Sequence, residues 1–280
     1  MTSRPLKKIL TSIARARADR IAVVRLDGVI GGLGPGRNGM TIDRLEPVLR
    51  RAFELDRLKA VALVVNSPGG SPSQSEYIAG RIRQLATEKG VRVLAFCEDV
   101  AASGGYWLAC AADEIFVANT SVVGSIGVIS SSFGLEKVID RFGIERRVHT
   151  AGENKHRLDV FQAEQPEDVA WLEGLQGDIH AAFISWVRRR RGARLAGDDA
   201  ELFNGDVWVG RRAVDLGLAD GVGMLRSVIA ERYPDAEIEP IAAPKPLLAR
   251  LTSSSRLTEG VVTGVIDAAE ARAAWSRYGR

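Results

Sequence analysis

Ser103 lies in Asp99-Val100-Ala101-Ala102-Ser103-Gly104-Gly105-Tyr106-Trp107, a lone serine between two alanines and two glycines. The apolar run Val91 to Cys97 precedes it and the alanine-rich segment Leu108 to Ala112 follows. The run reads as a buried strand and the segment as the start of a helix, so the serine falls at a strand-to-helix turn. Its hydroxyl there lies over free backbone N–H groups and the positive end of a helix dipole, which favour negative charge. Small neighbours let a substrate backbone approach. The chemistry this suits is nucleophilic attack by Ser103, although a serine at such a place also serves as a plain helix cap.

A serine hydroxyl is a weak nucleophile at neutral pH and needs a base. The chain has three histidines, His149, His156 and His180, none with an acidic residue in a suggestive motif. A lysine left neutral by desolvation is the other choice. Lys155 closes Thr150-Ala151-Gly152-Glu153-Asn154-Lys155, where a glycine turn after a predicted strand could carry it into a cleft. Taken alone, it reads first as a solvated charge. Acyl chemistry also needs donors for an oxyanion. Gly69-Gly70, after the apolar run Ala60 to Val65, could turn backbone N–H groups inward, or form only a Pro-Gly turn.

Several predicted elements must hold these groups. Strands are predicted over 21–26, 60–65, 91–97, 115–117, 122–129 and 145–149. Helices are predicted over 42–55 with Thr41 as N-cap, 75–89 stopped by Gly90, 135–142 ended by Gly143, and 165–190. The β-branched run at 60–65 suits a parallel strand covered on both faces. This alternation marks an α/β protein with a mostly parallel sheet and flanking helices. Val169, Leu172, Leu175, Ile179, Phe183 and Trp186 form an apolar stripe expected in the core or at a subunit contact. The six glycines between Gly28 and Gly39 predict a mobile loop. Residues 1–20 read as a basic helix or tail, 21–239 as the main domain, and 240–280 as a peripheral extension.

Composition narrows the classes. A chain of 280 residues with 46% hydrophobic and 26% charged residues suits a soluble globular protein with a sizeable core. A net charge of +3 gives no ground for nucleic-acid binding. The clusters at residues 4–20 and at Arg188 to Arg191 with Arg194 read as solvated faces first and acidic-lipid surfaces second. Cys97 and Cys110 lie among apolar residues and read as buried thiols, not as a disulfide or metal pair. The longest apolar run falls far short of the ~18 residues of a membrane span. A cytoplasmic place is expected, with contact at most at the inner face of a membrane.

Five blocks then occur in one order: Asn66-Ser67-Pro68-Gly69-Gly70, Ala101 to Tyr106, Gly124-Ser125-Ile126-Gly127-Val128, Ala151-Gly152-Glu153-Asn154-Lys155, and Gly210 to Gly223. Together they resemble the signal peptide peptidase A / protease IV family of serine peptidases, which has the ClpP/crotonase fold. The match runs from about Ile21 to Leu225. The resemblance implies a Ser-Lys dyad with Ser103 as nucleophile and Lys155 as base. It also implies that Ser125 orients the lysine and that Gly70 and Gly104 form the oxyanion hole. No cofactor or metal is implied. Extended, largely apolar peptides such as signal peptide remnants are the implied substrates, and a homo-oligomeric ring the implied assembly. In single-repeat members like this chain the Ser and Lys can meet across a subunit boundary. The pattern departs from the family at Val160, where proline is usual. An acyl-CoA enzyme and a non-catalytic scaffold share the fold, but neither needs the full set of residues.

Overall fold

The apolar runs become the strands of one eight-stranded sheet in a computed structural model that describes residues 18–32, 39–242, 275, 276 and 278. The expected basic helix at the N-terminus and most of the C-terminal extension lie outside the described residues. β1 (Arg20–Asp27), β2 (Leu58–Ser67) and β3 (Arg92–Ala102) pair in parallel at the centre. Helix α1 (Ile42–Phe53) connects β1 to β2, and α2 (Pro72–Lys89) connects β2 to β3. Gly90, in the left-handed region, ends α2 as expected. Thr41 is the N-cap of α1 without a side-chain hydrogen bond; the Ile42 N–H is taken instead by Gln74 Oε1 at 2.8 Å.

β3 has 11 residues and is longer than its apolar run predicts. It therefore accommodates two neighbours in succession on one edge. Leu94 to Cys97 pair with β4 (Glu114–Val117), and Val100 to Ala102 pair with β5 (Val122–Gly124). Between β3 and β4 in the chain stands α3 (Gly104–Ala109), which begins directly after Ser103, four residues earlier than expected. β5 stops at Gly124, not at Ile129, and β6 (Val207–Val209) pairs with it antiparallel. Short strands β7 (Gly221–Val222) and β8 (Glu237–Pro240) pair in parallel with β4 and β1. β8 carries the sheet one residue past the expected end of the main domain, and the buried Ile241 follows it.

One sheet face packs on α1, α2, α3 and the second half of a long helix, α5 (Pro166–Arg191), burying Val24, Leu63, Ala95, Ile78 and Phe183. The other face, with Val23, Val64 and Phe96, is covered by α6 (Leu225–Arg232). Only the end of the predicted apolar stripe on α5 reaches the core. Phe183 is 3% exposed and stacks on Trp107 with ring centroids 4.8 Å apart, whereas Leu175 is 45% exposed. The expected strand at 145–149 is an exposed irregular segment, because no strand edge passes beside it. A short helix, α4 (Glu136–Arg141), is the sole regular element between β5 and α5.

The arginine run behaves differently from a solvated face. Arg191 is 2% exposed and binds Asp220 at 2.7 Å, Arg190 binds Asp113 at 3.2 Å, Arg194 reaches Asp220 at 3.3 Å, and Arg188 pairs with Asp199. Arg190 ties the end of α5 to Asp113 before β4, and the Arg191 and Arg194 pairs pin it to the segment around Leu216 to Asp220. The Tyr106 hydroxyl donates to the Leu218 carbonyl at 2.8 Å and ties α3 to the same segment. Both cysteines are free and buried, as expected. Burial pushes the Cys97 thiol up to about 12 and the Cys110 thiol to about 11. Among the described residues no helix is long and apolar enough to cross a membrane.

Candidate active site

Ser103 sits half-buried at the elbow where β3 turns into α3, with φ +52° and ψ −122°. A non-glycine residue holds such angles only where its surroundings over-determine them, and those surroundings are visible here. The Ser103 N–H donates to the Gly124 carbonyl at 2.8 Å, and its own carbonyl accepts from the Trp107 N–H at 3.0 Å. The strand ladder thus clamps one side of the elbow and the first turn of α3 the other. The Ser103 hydroxyl caps nothing, so the plain cap reading has no hydrogen bond behind it.

The glycine pair after β2 lies against this elbow. A shift in register between β2 and β3 sets Ser67 opposite Ala101, and Asn66 Oδ1 accepts the freed Val100 N–H at 3.3 Å. The loop beyond Ser67 is thereby carried alongside Ser103. A methyl on Gly69 would stand 2.7 Å from Ser103 Cβ. Gly70 has φ +142°, and a methyl there would stand 2.1 Å from the Ile30 carbonyl oxygen. A methyl on Gly104 would lie 2.5 Å from Ser75 Oγ and 3.4 Å from the Gly70 nitrogen. The Gly70 and Gly104 backbones are therefore immediate neighbours. Neither amide donates to an acceptor among the described residues. Acyl chemistry needs backbone donors of this kind for a developing negative charge.

Ser125, half-buried with φ +52°, follows Gly124, the residue whose carbonyl holds Ser103. Its N–H donates to the Asp206 carbonyl at 2.6 Å. Ser103, Ser125, Gly70 and Gly104 thus share one end of the sheet. Among the described residues, Lys155 makes no hydrogen bond with any of them. It sits in an exposed turn between α4 and α5, where its stem packs 3.1 Å from the place of a methyl on Gly152. None of the histidines is bonded to Ser103; His180 reaches the Ile126 carbonyl at 2.9 Å. No group of three or more His, Cys, Asp or Glu among the described residues could hold a metal ion.

Two residues escaped the sequence reading. Ile30, 2% exposed, threads between Gly70 and Met40: its N–H donates to the Gly69 carbonyl at 2.8 Å, and its carbonyl accepts the Ser71 N–H at 2.9 Å. Its signal was an isoleucine amid glycines. Ser75 is fully buried on α2 against Gly104. Its signal was a hydroxyl on the helix face that otherwise carries Ile78, Ala79 and Ile82.

A sequence model of peptidase family S49 matches residues 86–239. Among curated proteins, a Brucella abortus protein named Na(+)/H(+) antiporter NhaA is 43% identical over 98% of this chain and 39% of its own length. The chloroplastic serine protease SPPA of Arabidopsis thaliana is 31% identical over 79% of this chain and 33% of its own. The chain thus spans two fifths or less of these two relatives. Among solved structures, the 1510-N membrane-bound stomatin-specific protease aligns with TM-score 0.53 at 16% identity, over 81% of this chain and 99% of that one. That likeness shows the ClpP/crotonase-like fold alone. With more than half of its length matched, this chain belongs to peptidase family S49, the signal peptide peptidase A and protease IV group.

Proposed function

We propose that this protein is a serine endopeptidase in which Ser103 is the nucleophile, Lys155 the general base, Ser125 the hydroxyl that orients the lysine, and Gly70 and Gly104 the oxyanion donors. The observation that carries the reading is the adjacency of two unspent glycine amides to a strained serine elbow. Neutral Lys155 Nζ takes the Ser103 proton as Oγ attacks the peptide carbonyl. The oxyanion rests on the two amides, and the lysine ammonium then protonates the leaving amine. Water, activated by the same amine, hydrolyses the acyl-serine ester and restores both groups.

A lysine serves as base only when desolvation leaves it neutral, and in the single chain Lys155 faces solvent. A homo-oligomer, in which Lys155 of one copy meets Ser103 of the next, supplies that burial. Ile129, Phe133, Phe142 and Ile144, each more than half exposed on the same segment, support such a contact. Extended, largely apolar peptides, signal peptide remnants among them, are the proposed substrates. Work beside a membrane fits the antiporter name borne by the Brucella relative.

The experiment is hydrolysis of a fluorogenic apolar peptide, together with fluorophosphonate labelling, by the full chain and by Ser103→Ala and Lys155→Ala. Each variant is expected to lose about ten-thousand-fold in kcat while keeping its fold and assembly. Labelling is expected to need both residues. A Lys155→Ala protein that still hydrolyses peptide near the parent rate would falsify the dyad.

A further inference from the structure

Ser75 is the one fully buried hydroxyl on α2, and no step of the proposed mechanism uses it. Its Oγ donates to the Ser71 carbonyl at 2.9 Å, which also accepts the Ser75 N–H at 3.0 Å. The same Oγ lies 2.5 Å from where a methyl on Gly104 would stand. A buried serine in a helix gains little from a second bond to a carbonyl already engaged, and alanine would suit the helix better. Helix stability therefore does not explain the hydroxyl. Its position does.

The two proposed oxyanion amides belong to different parts of the chain. Gly70 is held from one side, since the peptide groups flanking it bond to the Ile30 N–H and carbonyl. Ser71, the next residue, caps α2 by accepting the Gln74 N–H at 3.4 Å. Gly104 opens α3. Ser75 joins the two: its bond to the Ser71 carbonyl fixes the residue after Gly70, and its oxygen, aimed by that bond, rests on Gly104. We propose that Ser75 is a positioning residue that sets the separation of the Gly70 and Gly104 amides and so tunes the oxyanion hole. The proposal rests on the endopeptidase reading above. It makes Ser75 a strut and not a catalytic residue, because the hydroxyl reaches the reacting atoms only through the two glycines. Amides preset at the oxyanion distance stabilise the transition state more than the substrate, so a loosened strut slows turnover without weakening substrate binding.

The test compares the full-length parent, Ser75→Ala, Ser75→Cys and Ser103→Ala on the fluorogenic peptide, and on a peptide aldehyde whose tetrahedral adduct places an oxyanion in the same hole. Alanine lifts no helix constraint, so Ser75→Ala is expected to fold and to melt within a few degrees of the parent. Its kcat is expected to fall about tenfold with KM unchanged, and its affinity for the aldehyde to fall by the same factor, less than the loss on deleting a donor outright. Ser75→Cys, which keeps an atom in place with a weaker bond, is expected to lie between the parent and Ser75→Ala. A kcat within twofold of the parent in Ser75→Ala overturns the strut, as does a loss carried by KM or one that spares the aldehyde. An unfolded Ser75→Ala transfers the same criteria to Ser75→Cys. If Ser103→Ala keeps its activity, the endopeptidase reading itself fails, whatever Ser75 does.

Discussion

The two halves of the proposed dyad live in regions of opposite character. Ser103 stands where β3, β5, α3 and the glycine loop converge, among residues such as Ala101, Ala102 and Gly104 that are buried. Lys155 stands on the excursion between β5 and α5, whose apolar side chains Phe133 and Phe142 are 83% and 72% exposed. The excursion is held by polar contacts within itself and to Asp168 at the start of α5. Arg146 bonds Asp159 and holds its carboxyl below the usual range, Arg157 binds Asp168 at 3.1 Å, and the Leu158 N–H donates to Asp168 Oδ2 at 3.2 Å. The nucleophile's side is therefore finished by the chain's own core, while the base's side is shaped but uncovered. A core excludes water from groups that lie beneath several packed elements, and an excursion tied down only at its surface leaves that work to another surface.

Four outcomes would break or sharpen this contrast. The largest is expected at the glycines. Gly104→Ala puts a methyl into Ser75 Oγ, and kcat is expected to fall about 10²- to 10³-fold, measured on the same peptide. A variant with near-parental turnover would mean that the buried side is not as tightly fixed as the contacts imply.

Next comes the buried pair behind α3. Burial alone would raise the Asp220 carboxyl, but the Arg191 hydrogen bond and charge outweigh it and hold it low. A carboxyl lowered in the folded state contributes stability that is complete above its unfolded value and is lost as pH falls through the folded one. Asp220→Asn is expected to cost about 3 kcal/mol in urea melts near neutral pH, because Arg191 is left uncompensated. The gap to the parent should close in acid. An equal gap at both pH values would remove the ion pair as its cause.

On the excursion the effect should be on assembly and not on folding. Phe133→Glu combined with Phe142→Glu is expected to shift the protein towards monomer in sedimentation. Chain stability should stay within about 0.5 kcal/mol, as is usual for exposed sites. Unchanged assembly would mean that other surfaces cover Lys155. The smallest effect is expected from the thiols. With Cys97 and Cys110 raised to about 12 and 11, both remain neutral at ordinary pH, and iodoacetamide should label neither until the fold opens.

Much of the site was legible because its parts are local. Short glycine blocks after apolar runs mark the ends of parallel strands, and the lone Ser103 between small residues marks an elbow whatever surrounds it. The core strands were legible for the same reason, since a β-branched run such as Val61 to Val65 has few other places to go. Boundaries were less so. β3 outran its apolar stretch because β5 offered Val100 to Ala102 a second partner, and the 145–149 stretch failed as a strand because no partner arrived.

The sequence by itself determined which residue types stand at the strand ends, and hence the kind of chemistry on offer. Only the tertiary structure decided that Gly70 and Gly104 lie side by side, that Ser75 is wedged between their segments, that Arg191 is buried on Asp220, and that Lys155 faces outward. The physical reason is range. A turn, a cap or an apolar run is set by neighbours a few residues away. Adjacency and burial depend on which distant segment arrives to exclude water, and that is settled by the packing of the whole chain.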